Sequence, residues 1–272
     1  MSEFEFLRSM PFGPYLPVDS PLHRLDPRAR ILMTLALVGV LTVAPRPLGL
    51  AFGLAVILIG YRLARAPIGP LLRGWWSALP FLLILAVLQV LLRGGPDENI
   101  LFQWGWLRIS SADLLVGLTL LLRFSALMAV LGLAAASLSE SEVTHGLDSL
   151  LKPLANIGVP VQDFVMMVQV TMRFFPLLAQ IAERIAKAQA SRGADWTPAG
   201  WNPIRRARQV APLIVPLFVT SLRRAENMAL AMDARGYGSG PIRTSMIVLN
   251  FRWVDWLALV VTVGAAALVI IL

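Results

Sequence analysis

The chain has 272 residues, of which 57% are hydrophobic and only 15% are charged, and its mean hydropathy is +0.71. Soluble domains are about 45–50% apolar and about 25% charged, so this composition excludes an ordinary soluble enzyme and indicates an integral membrane protein. The formal net charge of +8 is carried mainly by arginine. Because these arginines lie between apolar segments, the positive-inside rule explains them better than nucleic-acid binding does. We therefore expect no nucleic-acid partner.

Several kinds of chemistry are also excluded by what the chain lacks. It has no cysteine and only two histidines, His23 and His145, which excludes disulfides, thiolate metal sites and iron–sulfur clusters. The phosphate-binding sequence G-x-x-x-x-G-K-[ST] is absent. The single Glu142-x-x-His145 pair is a pattern that di-iron sites need twice. We expect no cofactor, no bound metal and no catalytic residue, so any energy for work by this protein must come from another chain.

Five apolar segments approach the length of about 20 residues that a helix needs to cross a bilayer. They are residues 31–44, 48–61, 74–92, 114–137 and 253–272. The first two are short and are separated by Pro45-Arg46-Pro47, which predicts a tight helical hairpin. A further apolar run at 210–222 contains two prolines and is expected outside the bilayer, packed against protein. The pattern predicts an all-α integral membrane protein with about five transmembrane helices.

The positions of the arginines predict an orientation. The loop between the second and third segments contains Arg62, Arg65 and Arg73 and no acidic residue. Short loops rich in arginine stay in the cytoplasm, so the N-terminus is expected inside and the C-terminus outside. The predicted organisation is an N-terminal cytoplasmic segment with four transmembrane helices (1–137), a cytoplasmic coupling-helix domain (138–252) and a C-terminal transmembrane helix (253–272).

The start of the first helix is indicated by Asp26-Pro27-Arg28. Asp26 is a suitable N-cap and Pro27 a suitable first helical residue. Arg28 and Arg30 are then expected at the lipid headgroups.

Arg123 is the one charge inside the fourth apolar segment. A charge at that depth is a candidate functional residue, but without an intramembrane acid a structural role is favoured over a proton relay. It is expected either to snorkel or to pair with a residue such as Glu98, Asp113 or Asp255. Gly49-x-x-x-Gly53 matches a helix-packing notch, although a chain with 20 glycines can contain that pattern by chance.

The long segment between the fourth and fifth apolar runs is predicted to be helical. Ser139 and Glu142 have the spacing of a capping box, so a helix is expected to begin there. Two amphipathic segments follow, at helical spacing. Their apolar faces contain Phe174, Leu178, Ile181, Ile185 and Ala188 in the first, and Leu222, Ala225, Met228, Ala229 and Met232 in the second.

These two amphipathic segments share the pattern A-E-x8-R-G. Arg192-Gly193 ends the first copy and Arg235-Gly236 ends the second, 43 residues later. Arginine in the last turn and glycine after it are common helix stops, which explains either tip alone. Two like tips favour two like receptors, because the guanidinium fork suits pockets lined by carboxylates or carbonyls. The pair therefore predicts coupling to two homologous cytoplasmic subunits.

Three stretches occur in the order found in one known family. They are one N-terminal stretch, Tyr15-Leu16-Pro17-Val18-Asp19-Ser20-Pro21-Leu22-His23-Arg24-Leu25-Asp26-Pro27-Arg28, a second stretch, Arg173-Phe174-Phe175-Pro176, and as the third the pair of tips, Ser191-Arg192-Gly193 and Ala234-Arg235-Gly236. Together they resemble the transmembrane T component of energy-coupling factor (ECF) transporters, related to the cobalt-transport Q component. The resemblance implies an ABC-type importer of vitamins or transition-metal ions in the bacterial cell membrane.

The resemblance also implies partners and roles. A T component joins two cytoplasmic ABC ATPase subunits to a membrane-embedded, substrate-binding S component and is not itself catalytic. The six tip residues (Ser191, Arg192, Gly193, Ala234, Arg235 and Gly236) would dock on the ATPases. Packing on the membrane helices and the S component would involve Phe174, Ile181, Met228 and Met232. The family often has alanine before the first arginine, where this chain has Ser191. The resemblance therefore does not assign each tip to a particular ATPase.

Three alternatives remain open. The opening motif is more similar to T components shared among S components than to those dedicated to cobalt or nickel, but both belong to the family. A self-contained secondary transporter would need broken helices and intramembrane acids at the midplane, where this chain offers Arg123 and a few prolines. A membrane-embedded enzyme would need a nucleophile or metal cluster that the sequence does not contain.

Overall fold

The structure is a computed structural model that describes residues 19–93, 100–104, 107–155, 157–158, 160–194, 203–238 and 249–272. These residues contain eight helices and one short β-hairpin, so the predicted all-α membrane fold is confirmed. They belong to two compact units. One unit consists of Gly13–Ile157 with Leu249–Leu272, and the other contains Gly158–Val248, each as far as it is described.

The eight helices of the described residues follow one another along the chain. They are α1 (Pro27–Val43), α2 (Pro47–Ala64), α3 (Ile68–Arg93), α4 (Ser111–Ser137), α5 (Glu140–Ala155), α6 (Val161–Ser191), α7 (Pro203–Ala234) and α8 (Trp253–Ile271). Between α3 and α4 lies an antiparallel hairpin of β1 (Ile100–Trp104) and β2 (Leu107–Ser110), with Trp104 opposite Leu107. The sequence analysis did not anticipate this hairpin, because strands of five and four residues carry little periodicity.

Among the described residues, five helices are long and apolar enough to cross a membrane, namely α2, α3, α4, α6 and α8. The predicted number of five is therefore confirmed, and the chain is a multi-pass membrane protein. The set differs from the predicted one, since α6 qualifies and α1, with 17 residues, does not. A helix of that length lies at the lower limit of the spanning range.

The first two helices do not form the tight hairpin that the sequence predicted. α1 and α2 are separated at residues 44–46 and touch each other only sparsely, because both pack mainly against α4 and α8. Their buried core consists of Leu41, Ala44, Leu50, Ile57, Tyr61, Ala126, Ala129, Val130 and Val269.

The close contact between α2 and α8 depends on two glycines. A Cβ atom built on Gly49 would overlap the main-chain carbonyl of Val269, and one on Gly53 would lie 2.8 Å from Leu41 Cδ2 and 3.4 Å from Val269 Cγ2. The Gly49-x-x-x-Gly53 pattern is therefore a real packing notch that receives α8.

Arg30 joins three segments of the larger unit. Its side chain is 3% exposed and is therefore enclosed by protein. Nε donates to Leu25 O at 3.1 Å, Nη1 donates to Ser137 O, and Nη2 donates to Glu142 Oε1 at 2.5 Å. The guanidinium thus ties the turn before α1 to the end of α4 and the start of α5.

Glu142 also caps its own helix. Its Oε2 accepts from Ser139 N at 2.9 Å, and Ser139 Oγ accepts from Glu142 N at 3.2 Å, which confirms the predicted capping box. Burial raises the pKa of the Glu142 carboxyl, but hydrogen bonds from Arg30 and Ser139 outweigh this effect and hold the pKa below its ordinary value.

The predicted start of α1 is confirmed, and it is linked to the last helix. Asp26 is the N-cap and accepts from Arg28 N at 2.9 Å, while Pro27 is the first helical residue. The backbone N–H of Asp26 donates to Asp255 Oδ1 at 2.8 Å, and Asp255 Oδ2 accepts from Arg252 N at 2.7 Å. One buried carboxylate therefore serves the N-termini of both α1 and α8.

Two of the predicted acidic partners of Arg123, Asp113 and Asp255, are wrong. Its Nη2 donates to Ala44 O at 2.7 Å, at the C-cap of α1. Asp113 instead forms a capping box with Ser110 at the start of α4, and Asp255 is engaged as described above. Glu98, the third candidate, lies outside the described residues. Arginine favours a helix C-terminus because the terminal carbonyls carry partial negative charge.

The apolar run 210–222 is not a separate segment, because it belongs to the continuous helix α7. It was expected to pack against protein, but six of its larger side chains are at least 42% exposed in the chain, namely Val210, Ile214, Val215, Phe218, Val219 and Leu222, while Leu213 and Leu217 are half-buried. The helices of this unit also contain internal prolines, Pro176 in α6 and Pro212 and Pro216 in α7.

Replacing Gly49 with alanine should destabilise the larger unit. The added Cβ would meet a main-chain atom that cannot rotate away, so the free energy of unfolding should fall by about 1–3 kcal/mol. Thermal unfolding of the purified chain in detergent measures this change. Gly39→Ala is the matched control, because nothing lies within 4 Å of its Cβ position and alanine favours a helix interior. Equal melting temperatures for the two variants would contradict the close α2–α8 contact.

Removing the charge of Glu142 should also destabilise this unit. Glu142→Gln leaves a buried guanidinium without its counter-charge, so we expect a loss of about 3 kcal/mol at neutral pH. Because the folded pKa lies below the ordinary value of 4.5, the contribution is complete above that value and is lost as the pH falls through the folded pKa. The difference between wild type and variant should therefore shrink in acid. Glu140→Gln, an exposed position in the same first turn, should change the melting temperature little at either pH.

Candidate functional site

The unit formed by α6 and α7 contains most of the residues that the sequence analysis singled out. The two helices pack against each other and enclose an apolar groove of about 470 Å³. Its lining includes Phe174, Leu178, Leu222, Met228 and Met232. Three of the four residues predicted to pack on a partner, Phe174, Met228 and Met232, therefore come together on one surface, where each is half-buried.

The fourth residue, Ile181, lies elsewhere. It is 9% exposed and lines a second groove, of about 530 Å³, with the polar side chains of Arg184, Arg223, Arg224 and Asn227. Its face of α6 is thus covered within the chain. The helical spacing that grouped it with Phe174 did not resolve this difference, because the apolar stripe of a long helix drifts around its axis.

The apolar groove also includes residues that the sequence analysis missed. Phe175 and Phe218 line it and are 57% and 64% exposed. Phe175 belongs to the motif Arg173-Phe174-Phe175-Pro176, while Phe218 lies in the apolar run 210–222. An exposed aromatic pair on a helix surface is typical of a contact with another protein or with lipid.

The first Arg-Gly tip ends α6. The N–H of Gly193 donates to Ala190 O at 3.0 Å, and the N–H of Ala194 donates to Gln189 O at 3.1 Å. Gly193 has φ = +85°, the left-handed conformation in which glycine is favoured after a helix. This hydrogen-bond pattern is a Schellman motif with Arg192 as the C-cap.

The second tip, at the end of α7, has the same geometry 43 residues later. The N–H of Gly236 donates to Asp233 O at 2.8 Å, and the N–H of Tyr237 donates to Met232 O at 3.0 Å. Gly236 has φ = +74°. Each hydrogen bond has its counterpart at the first tip, so the repeat seen in the sequence is a repeat of backbone structure.

Both arginines at these tips are accessible. Arg192 and Arg235 are exposed, as are Ser191, Gly193, Ala234 and Gly236 beside them. Within the part of the chain that the structure describes, neither guanidinium has a hydrogen-bond or ion-pair partner. Each tip therefore presents a guanidinium whose donors are unused among the described residues, on a backbone that the cap hydrogen bonds fix.

The N-terminal motif is described from residue 19 onward, and Tyr15 to Val18 lie outside the described residues. Asp19 forms a two-point ion pair with Arg24, with distances of 3.0 Å and 2.9 Å. The Arg24 guanidinium holds the pKa of the Asp19 carboxyl below its ordinary value. Ser20 Oγ lies 2.7 Å from His23 Nδ1. These pairs fix the turn that leads into α1.

The described ranges bring together no group of three or more histidine, aspartate or glutamate side chains that could hold a metal ion.

Gly193→Ala should loosen the first tip. A Cβ in the left-handed conformation costs about 1–2 kcal/mol, so the amide of Ala194 should exchange hydrogen faster, which hydrogen–deuterium exchange with mass spectrometry can measure. Gly193→Asn should restore much of the protection, because asparagine tolerates this conformation. Equal exchange in wild type and Gly193→Ala would contradict the Schellman cap.

Comparisons with known proteins identify the family of the chain. The family described as cobalt transport protein matches residues 19–246. Several relatives carry the name energy-coupling factor transporter transmembrane protein EcfT. The relative from Brevibacillus brevis is 34% identical over 94% of this chain and 96% of its own. Those from Acidaminococcus fermentans and Thermanaerovibrio acidaminovorans are 36% and 37% identical, over 92% and 91% of this chain and 91% and 90% of theirs.

The family match reaches into both units of the structure and spans both Arg-Gly tips. With five apolar helices and relatives named as transporter components, the chain is a transmembrane component of a transport system. It belongs to the family of energy-coupling factor transporter transmembrane proteins, the T components.

Proposed function

We propose that this chain is the non-catalytic coupling subunit of an ECF-type ABC importer. It transmits the ATP-driven motion of two cytoplasmic ATPases to a membrane-embedded S component that takes up a vitamin or a related micronutrient. The observation that carries the proposal is the pair of structurally equivalent, exposed Arg-Gly tips.

The tips suit two equivalent receptors for a physical reason. A guanidinium that already had an acidic partner in the chain would lose that partner on docking, whereas Arg192 and Arg235 have none among the described residues. Arginine can insert all five N–H donors into a groove lined by carbonyls or carboxylates. Because the two caps match bond for bond, two homologous ATPases can receive them in the same way.

The apolar groove supports the S-component contact. Met228 and Met232 lie in it with Phe174, and methionine adapts its shape to different partners. That property suits a T component shared among several S components. Ile181, which faces the other groove, is assigned to the packing of α6 on α7 and not to this contact.

The orientation follows from the same proposal. α1 crosses the membrane in place of α6, since α6 has exposed polar residues along its C-terminal half, including Gln180, Arg184 and Lys187. The N-terminus and the α6–α7 unit are then cytoplasmic, in the bacterial cell membrane, and the C-terminus is outside.

A second candidate within the family is a subunit dedicated to cobalt or nickel. The match to the family described as cobalt transport protein supports it. The two candidates differ in the S component that the chain captures. Co-expression with a vitamin-binding and a metal-binding S component from the same genome separates them, because a dedicated subunit retains only the latter.

Charge reversal at the tips tests the docking role. When the chain is co-expressed with its ATPases and purified in detergent, Arg192→Glu and Arg235→Glu should each weaken ATPase capture about thirtyfold or more, as expected for one partner of a desolvated charge pair. The double variant should lose both ATPases while still inserting into the membrane.

Arg184→Glu is the matched control, because Arg184 is exposed on α6 two turns before the tip. It makes the same charge change and should retain the ATPases. Capture of the ATPases by the double variant would overturn the proposal, and so would an equal loss in Arg184→Glu.

A further inference from the structure

A second groove, of about 350 Å³, lies in the larger unit, between α1, α2, α4 and α8. Its floor includes Ile57 and Val130, which are at most 2% exposed, and its open side includes Ile59, Leu63 and Val261, which are more than half exposed. The volume lies at the lower end of the range of about 300–1,000 Å³ that is typical of ligand pockets. The coupling role proposed above does not use this groove.

The groove presents an apolar lining to a ligand, because its polar side chains are already hydrogen-bonded within the protein. Thr34, Ser137 and Thr262 each donate their hydroxyl to a carbonyl about one turn earlier in their own helix. Arg30 is held by two carbonyls and by Glu142. Each polar side chain of the lining therefore already has a partner within the protein, which favours a hydrocarbon occupant.

One end of the groove lies at the level of lipid headgroups. Leu22, Leu63 and Val254 mark this end, where α1 and α8 begin and α2 ends. Trp253 and Trp256, at the start of α8, are 78% and 60% exposed. Exposed tryptophans are enriched at the membrane–water interface, so an acyl chain in the groove would have its headgroup here.

Positive charge at this end exceeds what the described residues neutralise. The acidic residues nearby, Asp19, Asp26, Glu142 and Asp255, all accept hydrogen bonds from arginines or backbone N–H groups. Arg62, on the last turn of α2, is exposed and has no partner among the described residues. Arg65 follows it and reaches only Asp19 O, at 3.5 Å. Two guanidinium groups are thus available beside the mouth.

We infer that this groove binds one acyl chain of an anionic phospholipid, whose phosphate is held by Arg62 and Arg65. Basic sites between transmembrane helices take anionic headgroups in this way. The groove supplies the apolar part of the binding, and the arginines supply the preference for a headgroup with net negative charge.

Native mass spectrometry of the full-length chain tests the inference. The chain is incorporated into nanodiscs of phosphatidylcholine with phosphatidylglycerol of the same acyl chains, and the lipids retained after release are counted. Ala258→Phe places a ring in the groove and should lower the retained phosphatidylglycerol about tenfold. Ala267→Phe, at an exposed position of the same helix, should retain it.

A second variant tests the headgroup without filling the groove. Arg62→Gln with Arg65→Asn should lower the preference for phosphatidylglycerol over phosphatidylcholine about thirtyfold, as expected for the loss of two juxtamembrane arginines. Asparagine is chosen at Arg65 because that residue has φ = 52°. Arg73→Gln, another exposed arginine at this end of the bundle, is the control and should keep most of the preference.

The outcomes are distinct. Full lipid retention by a folded Ala258→Phe variant would overturn the acyl-chain site, and an unchanged preference in the double arginine variant would overturn the headgroup site. Glycerol phosphate serves as a further probe. If it displaces the lipid at equal concentration, the arginines bind free phosphate, and the groove contributes nothing.

Discussion

The larger unit is organised around one buried guanidinium. Arg30 has a carbonyl from the turn before α1, a carbonyl from the end of α4 and the Glu142 carboxylate of α5 within hydrogen-bond reach. Loss of either charge would leave the other desolvated and unpaired, which is far more costly than a missing surface ion pair. The angle between α4 and α5 is therefore fixed by electrostatics as much as by packing. The apolar groove adjoins the same arginine.

Local sequence signals predicted the parts of this fold that depend on neighbouring residues. The N-cap at Asp26 and the capping box at Ser139 are confirmed because both hydrogen bonds close within three residues. The partner of Arg123 could not be predicted in the same way, because its acceptor is a main-chain carbonyl 79 positions away. Residues 31–44 were expected to span the membrane and α6 to lie in the cytoplasmic domain, whereas length and composition alone select α6 and not the 17-residue α1 as a span.

In the candidate site too, features that depend on neighbouring residues were predicted, and features that depend on tertiary packing were not. The 43-residue repeat predicted two similar tips, and the structure gives them matching Schellman caps because each cap is encoded by one glycine and its neighbours. The apolar surface was predicted less completely. Phe174, Met228 and Met232 line one groove, but Ile181 lines the other, since the position at which two long helices cross depends on tertiary packing. Recognition of the family supplied the expected partners, which no local pattern in the chain could identify.

The prolines inside α6 and α7 have a mechanical consequence. A proline interrupts the helical hydrogen-bond ladder and allows bending, and beyond Pro176 and Pro216 each helix continues without another proline to its tip. The part of α6 from Pro176 to Arg192 is about 24 Å long at 1.5 Å per residue. A bend of about 10° at the proline therefore displaces the arginine by about 4 Å. Each tip then behaves as the end of a lever arm, and in the proposed coupling role a modest closure between two ATPases would become a change of angle at the opposite end of the helix.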